Sequence, residues 1–95
     1  MNNQIKYNQA ELSNKLKLLS DSLLARSNKT GEYYFNFYQK SISTSATNQT
    51  IFSIANEILS SSSKIQDLAG FNYKETLILD EICIIANEIK LQNKV

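Results

Sequence analysis

The sequence contains no histidine and no proline, and it has only two glycines and one cysteine among its 95 residues. Without histidine, the chain lacks the usual base of a nucleophilic hydrolase and the commonest metal ligand. Two isolated glycines, Gly31 and Gly70, cannot form the glycine-rich loops that bind the phosphates of nucleotides. We therefore expect no enzymatic activity, no cofactor and no metal site.

The lack of proline and the scarcity of glycine also indicate the fold class. Folds with many short strands need many tight turns, whereas long helices need few. Apolar residues form 42% of the chain and charged residues 20%, which is typical of a domain with a packed core. Because 95 residues suit one core, we expect a single all-α domain over residues 1–95.

Charge and hydropathy exclude further classes of partner. Ten basic and nine acidic side chains give a net charge of +1, so no nucleic-acid partner is expected. The start of the chain, Met1 to Lys6, is followed by no apolar stretch of signal-peptide length. The most apolar segment, Thr76 to Ala86, is interrupted by Asp80 and Glu81, so no membrane-spanning helix is expected.

The lone cysteine bears on the compartment. Cys83 cannot form an internal disulfide, and its apolar neighbours indicate a structural thiol in a reducing environment. With no signal peptide expected, this favours a cytoplasmic location. Asp80 and Glu81 are about 100° apart on a helix, so they cannot face each other as a catalytic pair, and we expect them on a solvated face.

The spacing of apolar residues predicts the first two helices. Helix 1 runs from Asn3 to Arg26 and has one narrow apolar stripe, formed by Ile5, Leu12, Leu16, Leu19 and Leu23. The connection Ser27 to Gly31 follows, with Thr30 as a candidate N-cap. Helix 2 runs from Glu32 to Ser43 and is expected to supply the aromatic part of the core with Tyr34, Phe35, Phe37, Tyr38 and Ile42.

Helix 3 is predicted after a polar break at Ser43 to Asn48. Its apolar face is formed by Ile51, Phe52, Ile54, Ala55, Ile58 and Leu59. We expect it to end at Ser60 to Ser63, because serine hydroxyls compete for backbone hydrogen bonds. The segment Lys64 to Gly70 is then an ordered loop, anchored by Ile65 and Leu68, in which Gly70 can take a positive φ.

Helix 4 has the clearest signals. Asn72 followed by Glu75 is the pattern in which two side chains cap the first turn, and Phe71 precedes the cap. The core seam of a bundle helix then follows at spacings of four, three and four, with Ile78, Ile82, Ile85 and Ile89. Four amphipathic helices with short connections predict an antiparallel four-helix bundle.

A second apolar stripe lies on helix 4. Leu77, Ile84 and Leu91 recur every seven residues, roughly opposite the isoleucine seam. One hypothesis is that this stripe is exposed and binds a partner, together with Lys74 and Lys90. The alternative is that the stripe is covered, because helix 4 sits centrally or because a loop or the N-terminal part of helix 1 packs over it.

The order of the predicted elements resembles a known family. A long helix, a short aromatic helix and a third helix precede Ala69-Gly70-Phe71-Asn72-Tyr73-Lys74-Glu75, which opens an isoleucine-rich last helix. This order is similar to that of the immunity proteins of pediocin-like bacteriocins and their streptococcal relatives. The resemblance covers nearly the whole chain, although the sequence stops at Val95, where parts of that family continue into a C-terminal strap.

The resemblance implies a function. It suggests a cytoplasmic antiparallel four-helix bundle that protects a cell by engaging the membrane receptor complex of a bacteriocin from inside, without binding the free peptide tightly. For the pediocin-like group, that receptor is the mannose phosphotransferase permease. The resemblance also implies that specificity lies in the C-terminal half, where Leu77, Ile84 and Leu91 are found.

Three other functions stay open from the sequence alone. A helical adaptor or chaperone that binds a soluble protein would have the same bundle and stripe. A homodimer through helix 4 would also bury the stripe, and peripheral association with the membrane is compatible with it. A transcription regulator is disfavoured, since Lys15 and Lys17 are too few basic residues for a recognition helix.

Overall fold

The computed structural model describes residues 3–45 and 47–92, with side chains described from Asn8 onwards. It contains four helices: α1 Asn3–Ala25, α2 Lys29–Ser43, α3 Asn48–Ala69 and α4 Tyr73–Gln92. No strand is present within these two ranges. The all-α fold class predicted from the sequence is therefore confirmed.

Each helix packs against the next one along the chain, and α4 closes the bundle against α1. Gln9 near the start of α1 donates to the carbonyl of Ile42 near the end of α2, at 2.8 Å. Gln66 near the end of α3 donates to Thr76 near the start of α4, at 3.2 Å. Neighbouring helices are therefore antiparallel, and α2 and α4 occupy opposite corners.

One continuous core lies between the four helices. It contains the predicted stripe of α1 from Leu12 onwards and the predicted seam of α4, all buried. The side chain of Ile5 lies outside the described residues. The remaining core members include Phe35, Ile42, Ile51, Ala55 and Ile58. Burial of this apolar surface is the main force that holds the helices together.

The connection between α1 and α2 is shorter than predicted. Ser27 takes a left-handed conformation, with φ 61°, and ends α1 where glycine is usual. The N-cap of α2 is Asn28, whose side chain accepts a hydrogen bond from the backbone N–H of Gly31 at 3.1 Å. The prediction of Thr30 as the cap was therefore wrong. Asn28 also donates to the carbonyl of Ala69 at 2.6 Å, which fixes the turn against α3.

Gly31 lies inside α2 because there is no room for a side chain. A Cβ atom at this position would lie 3.0 Å from Cδ1 of Leu23 and 3.3 Å from Cβ of Ala69. Such distances are too short for ordinary carbon contacts. Glycine therefore lets the start of α2 approach α1 and α3 closely.

The predicted end of α3 at the serine run was wrong, since the helix continues to Ala69. The hydroxyls of Ser60 and Ser61 both donate to the carbonyl of Glu57, one turn earlier, and so leave the helical backbone intact. Ser62 and Ile65 are buried on the core face. Gly70 ends the helix and has the predicted positive φ, 63°.

Three residues predicted to face the core are on the surface instead. Leu68 belongs to the last turn of α3 and is exposed, so it is not a core anchor. In α2, Phe35, Tyr38 and Ile42 are buried, but Phe37 is 60% exposed and Tyr34 is also exposed. The buried arc of α2 is narrower than its apolar arc, because only two helices pack against it.

Candidate interaction surface

The start of α4 is fixed by the predicted capping pair. The side-chain oxygen of Asn72 accepts from the backbone N–H of Glu75 at 2.8 Å. In return, Oε1 of Glu75 accepts from the backbone N–H of Asn72 at 3.0 Å. Both of these N–H groups lack helical partners, and each is satisfied by the side chain of the other residue.

Through a half-buried ion pair, Glu75 also joins α4 to Arg26, the residue that follows α1. Its carboxylate has no solvent exposure and accepts two hydrogen bonds from the guanidinium of Arg26, both at 2.6 Å. The pair with Arg26 holds the pKa of Glu75 below its usual value, against the opposing effect of burial. Arg26 also donates to the carbonyl of Gly70 at 3.0 Å. The first turn of α4 is thus held at a fixed position on the bundle.

The two apolar stripes of α4 differ sharply in burial. The seam of Ile78, Ile82, Ile85 and Ile89 is at most 8% exposed. In contrast, Leu77 is 46% exposed, Ile84 is 61% exposed and Leu91 is 53% exposed. No described residue packs over the second stripe enough to bury it, so the alternative of a covered stripe is not what the structure shows.

Tyr73 extends this stripe by one turn and was missed by the sequence analysis. It lies four residues before Leu77 on the same side of the helix and is 80% exposed. The spacing of four, seven and seven was a usable signal, but Tyr73 was taken as part of the capping segment. We call the row of Tyr73, Leu77, Ile84 and Leu91 the α4 ridge.

The two lysines predicted to join the ridge lie at its margins. Lys74 and Lys90 are both exposed and are sixteen residues apart along α4. Lys90 lines a groove together with α3 residues, including Gln49 and Asn56, and so lies toward α3. The structure therefore does not bring the two lysines together into one basic site.

Acidic side chains flank the middle of the α4 ridge. Asp80 lies on one side, and Glu81 and Glu88 lie on the other, all exposed. Glu81 accepts a hydrogen bond from Lys15 of α1 at 3.0 Å, which raises the pKa of Lys15. Beside this pair is a cavity of about 210 Å³ between α1 and α4, which Ile84 helps to line.

Cys83 is not part of the ridge. It is partly buried on the side of α4 that faces α3, and its Sγ lies 3.5 Å from the hydroxyl of Ser62. This placement fits the predicted structural role. Among the described residues, no group of three or more acidic or cysteine side chains is placed to hold a metal ion.

None of the four described helices is both long enough and apolar enough to cross a lipid bilayer. Comparisons with protein-family models, with curated proteins and with solved structures gave no match. The function is therefore inferred from the residues and from the α4 ridge.

Proposed function

We propose that this chain is an immunity protein that protects a cell against a pediocin-like bacteriocin. In this proposal, the α4 ridge binds the membrane receptor complex of the bacteriocin from the cytoplasmic side. The observation that carries the proposal is the exposure of four large apolar side chains in one row on a firmly anchored helix. The chain acts by binding and not by catalysis.

The ridge has the features of a binding surface. Single exposed apolar residues are normal, but several large ones on one helix face together expose apolar area that a partner can bury, even though Asp80 and Glu81 separate Leu77 from Ile84. An amphipathic helix that docks in a groove uses anchors at such spacings. Because α4 is fixed by the capping pair and by Arg26, little conformational entropy is lost when the ridge binds.

Charge favours a protein partner over a lipid surface. Asp80, Glu81 and Glu88 flank the ridge, while Lys74 and Lys90 lie only near its ends. Anionic lipid headgroups would be repelled by the acidic middle of this surface. A protein groove with an apolar floor and a basic rim would complement it. This supports a protein partner.

The resemblance described for the sequence supports the choice of function. Immunity proteins of pediocin-like bacteriocins are antiparallel four-helix bundles of similar order, and their specificity is attributed to the C-terminal half. In this chain, that half contains α3, α4 and the whole α4 ridge. The mannose phosphotransferase permease is accordingly the proposed receptor.

A survival experiment tests the proposal. The chain is expressed in a Gram-positive strain that is sensitive to bacteriocins, and the cells are challenged with a panel of pediocin-like and related peptides. We expect selective protection, with the lethal concentration raised at least about tenfold for one or a few peptides, since tight receptor binding should block killing. Cells with the empty vector serve as the control.

The negative outcome is equally informative. Unchanged killing across the panel, with expression of the folded chain confirmed, would contradict the immunity function. In that case, recovery of the chain with a cytosolic protein would point to the helical adaptor instead.

A further inference from the structure

A second exposed surface lies on the opposite corner of the bundle from the α4 ridge. Four aromatic rings of α2 and one carboxylate of α3 line a cavity of about 220 Å³, formed by Tyr33, Tyr34, Phe37, Tyr38 and Glu57. We call it the α2 aromatic pocket. Because α2 and α4 occupy opposite corners, this pocket is separate from the surface in the proposed function.

The rings are arranged in two pairs, one turn apart on α2. Tyr33 and Tyr34 meet edge to face, with ring centroids 5.4 Å apart. Phe37 and Tyr38 are tilted at 59°, with centroids 6.0 Å apart. Tyr38 is buried and is held by a hydrogen bond of 2.8 Å to Ser61. The pocket therefore has a fixed ring at its base and more exposed rings around it.

The carboxylate of Glu57 supplies an unmatched negative charge. The ion pairs of residues 8–45 and 47–92 involve other acids, and no lysine or arginine in these ranges lies within 4.0 Å of Glu57. Burial raises the pKa of Tyr38, and the charge of Glu57 raises it further, so the carboxylate acts on the rings electrostatically. A cation in the pocket would be attracted by the aromatic rings and by the carboxylate of Glu57.

We propose that the α2 aromatic pocket binds an arginine side chain of a partner polypeptide. The faces of tyrosine and phenylalanine rings are negative and attract cations within about 6 Å. A planar guanidinium can stack on a ring while its N–H groups donate to a carboxylate, which an ammonium point charge cannot do equally well. The combination of exposed ring faces and one carboxylate without an ion-pair partner in the described residues is thus complementary to arginine.

The exposed walls of the pocket have no large role in folding. Tyr33 is 69% exposed and Phe37 is 60% exposed, so neither contributes much to the core. Large aromatic rings together with an acid at the surface are what recognition of a basic side chain requires. Arginine binding by the pocket does not depend on the α4 ridge, so it can be correct even if the immunity function is not.

The test is an NMR titration of the full chain with N-acetyl-arginine amide. The neutral isostere N-acetyl-citrulline amide is the matched probe, and choline represents a small-molecule cation. We expect saturable shifts of the Tyr33, Tyr34 and Phe37 ring signals with the arginine probe, and binding at least about threefold weaker for citrulline and for choline. The Phe37→Leu variant should bind the arginine probe about threefold more weakly.

The carboxylate is tested by Glu57→Gln, which should weaken arginine binding by about three- to tenfold. The control is Glu88→Gln, the same substitution at an exposed site on α4, which should change nothing. Equal binding of arginine and citrulline would overturn the proposal, as would an undiminished affinity of Glu57→Gln. Preferential binding of choline would overturn the assignment to a polypeptide side chain. All of these substitutions are at exposed positions, so the fold is preserved.

Discussion

Replacing Ile84 with lysine is expected to abolish protection while leaving the bundle folded. Ile84 is 61% exposed at the centre of the α4 ridge, so the core loses nothing. The new lysine lies one turn from Asp80 and from Glu88, and such pairs stabilise a helix by a few tenths of a kcal/mol. The free energy of unfolding, measured by thermal unfolding with circular dichroism, should therefore change by no more than about 0.5 kcal/mol.

The loss of protection has two causes in this variant. The lysine removes an apolar anchor, and it places a positive charge against the apolar floor of the receptor groove, next to its basic rim. Asn14→Lys adds the same charge at an exposed position on α1 and should protect like the wild type. Ile82→Ala, on the buried seam, should instead lose about 2–5 kcal/mol of stability. Full protection by Ile84→Lys would show that the ridge is not part of the binding site.

The second large effect is expected at Glu75. The Glu75→Gln variant keeps the size of the side chain and its hydrogen bond to the backbone of Asn72, but it loses the charge that pairs with Arg26. At neutral pH we expect a loss of about 2 kcal/mol, because hydrogen bonds between charged groups are replaced by weaker ones. Urea unfolding of both proteins measures the difference.

The pH dependence of this stability difference tests whether the ion pair causes it. The pKa of Glu75 is lowered in the folded state from its usual value of 4.5, so the unfolded chain takes up a proton at this site before the folded chain does. The advantage of the wild type over Glu75→Gln should be complete above about pH 5 and should decline below 4.5. It should be lost once the pH falls below the lowered pKa. A difference that stays constant down to about pH 3 would show that the ion pair is not the source.

The sequence predicted α4 well because its signals are local. The capping pair of Asn72 and Glu75 depends on residues three positions apart, and the isoleucine seam depends on helical periodicity alone. Both features were found in the structure as predicted. The ion pair of Glu75 with Arg26, 49 residues away in sequence, was not predicted because no local sequence pattern indicates it.

The end of α3 was missed because propensity was given more weight than periodicity. Four successive serines suggested a break, yet Ile58, Ser62 and Ile65 continue the buried face at spacings of four and three. Packing of that face outweighs the weak helical propensity of serine, which differs from that of alanine by only about 0.5 kcal/mol per residue. The error therefore lay in the choice between two visible signals.

The sequence alone could not predict which apolar residues lie on the surface of the bundle. Leu77, Phe37 and Leu68 are apolar in sequence, but their burial depends on how many helices surround each face. A closed ring of four helices leaves the outer face of each helix without a neighbour. For α4 this produces the ridge that the sequence left open. For α2 it exposes Tyr34 and Phe37, two rings of the aromatic pocket that the sequence placed in the core.

Photo-crosslinking from position 84 tests the central claim most directly, that the α4 ridge contacts the receptor. A photoreactive phenylalanine derivative replaces Ile84 in one strain and Asn14 in another, and the cells are irradiated after challenge with a peptide against which the chain protects. Contact between the ridge and the receptor predicts an adduct with a subunit of the mannose phosphotransferase permease from position 84, none from position 14, and none in a strain that lacks the permease. An adduct only with a cytosolic protein or with a second copy of the chain, or no adduct from position 84 in protected cells, would contradict it.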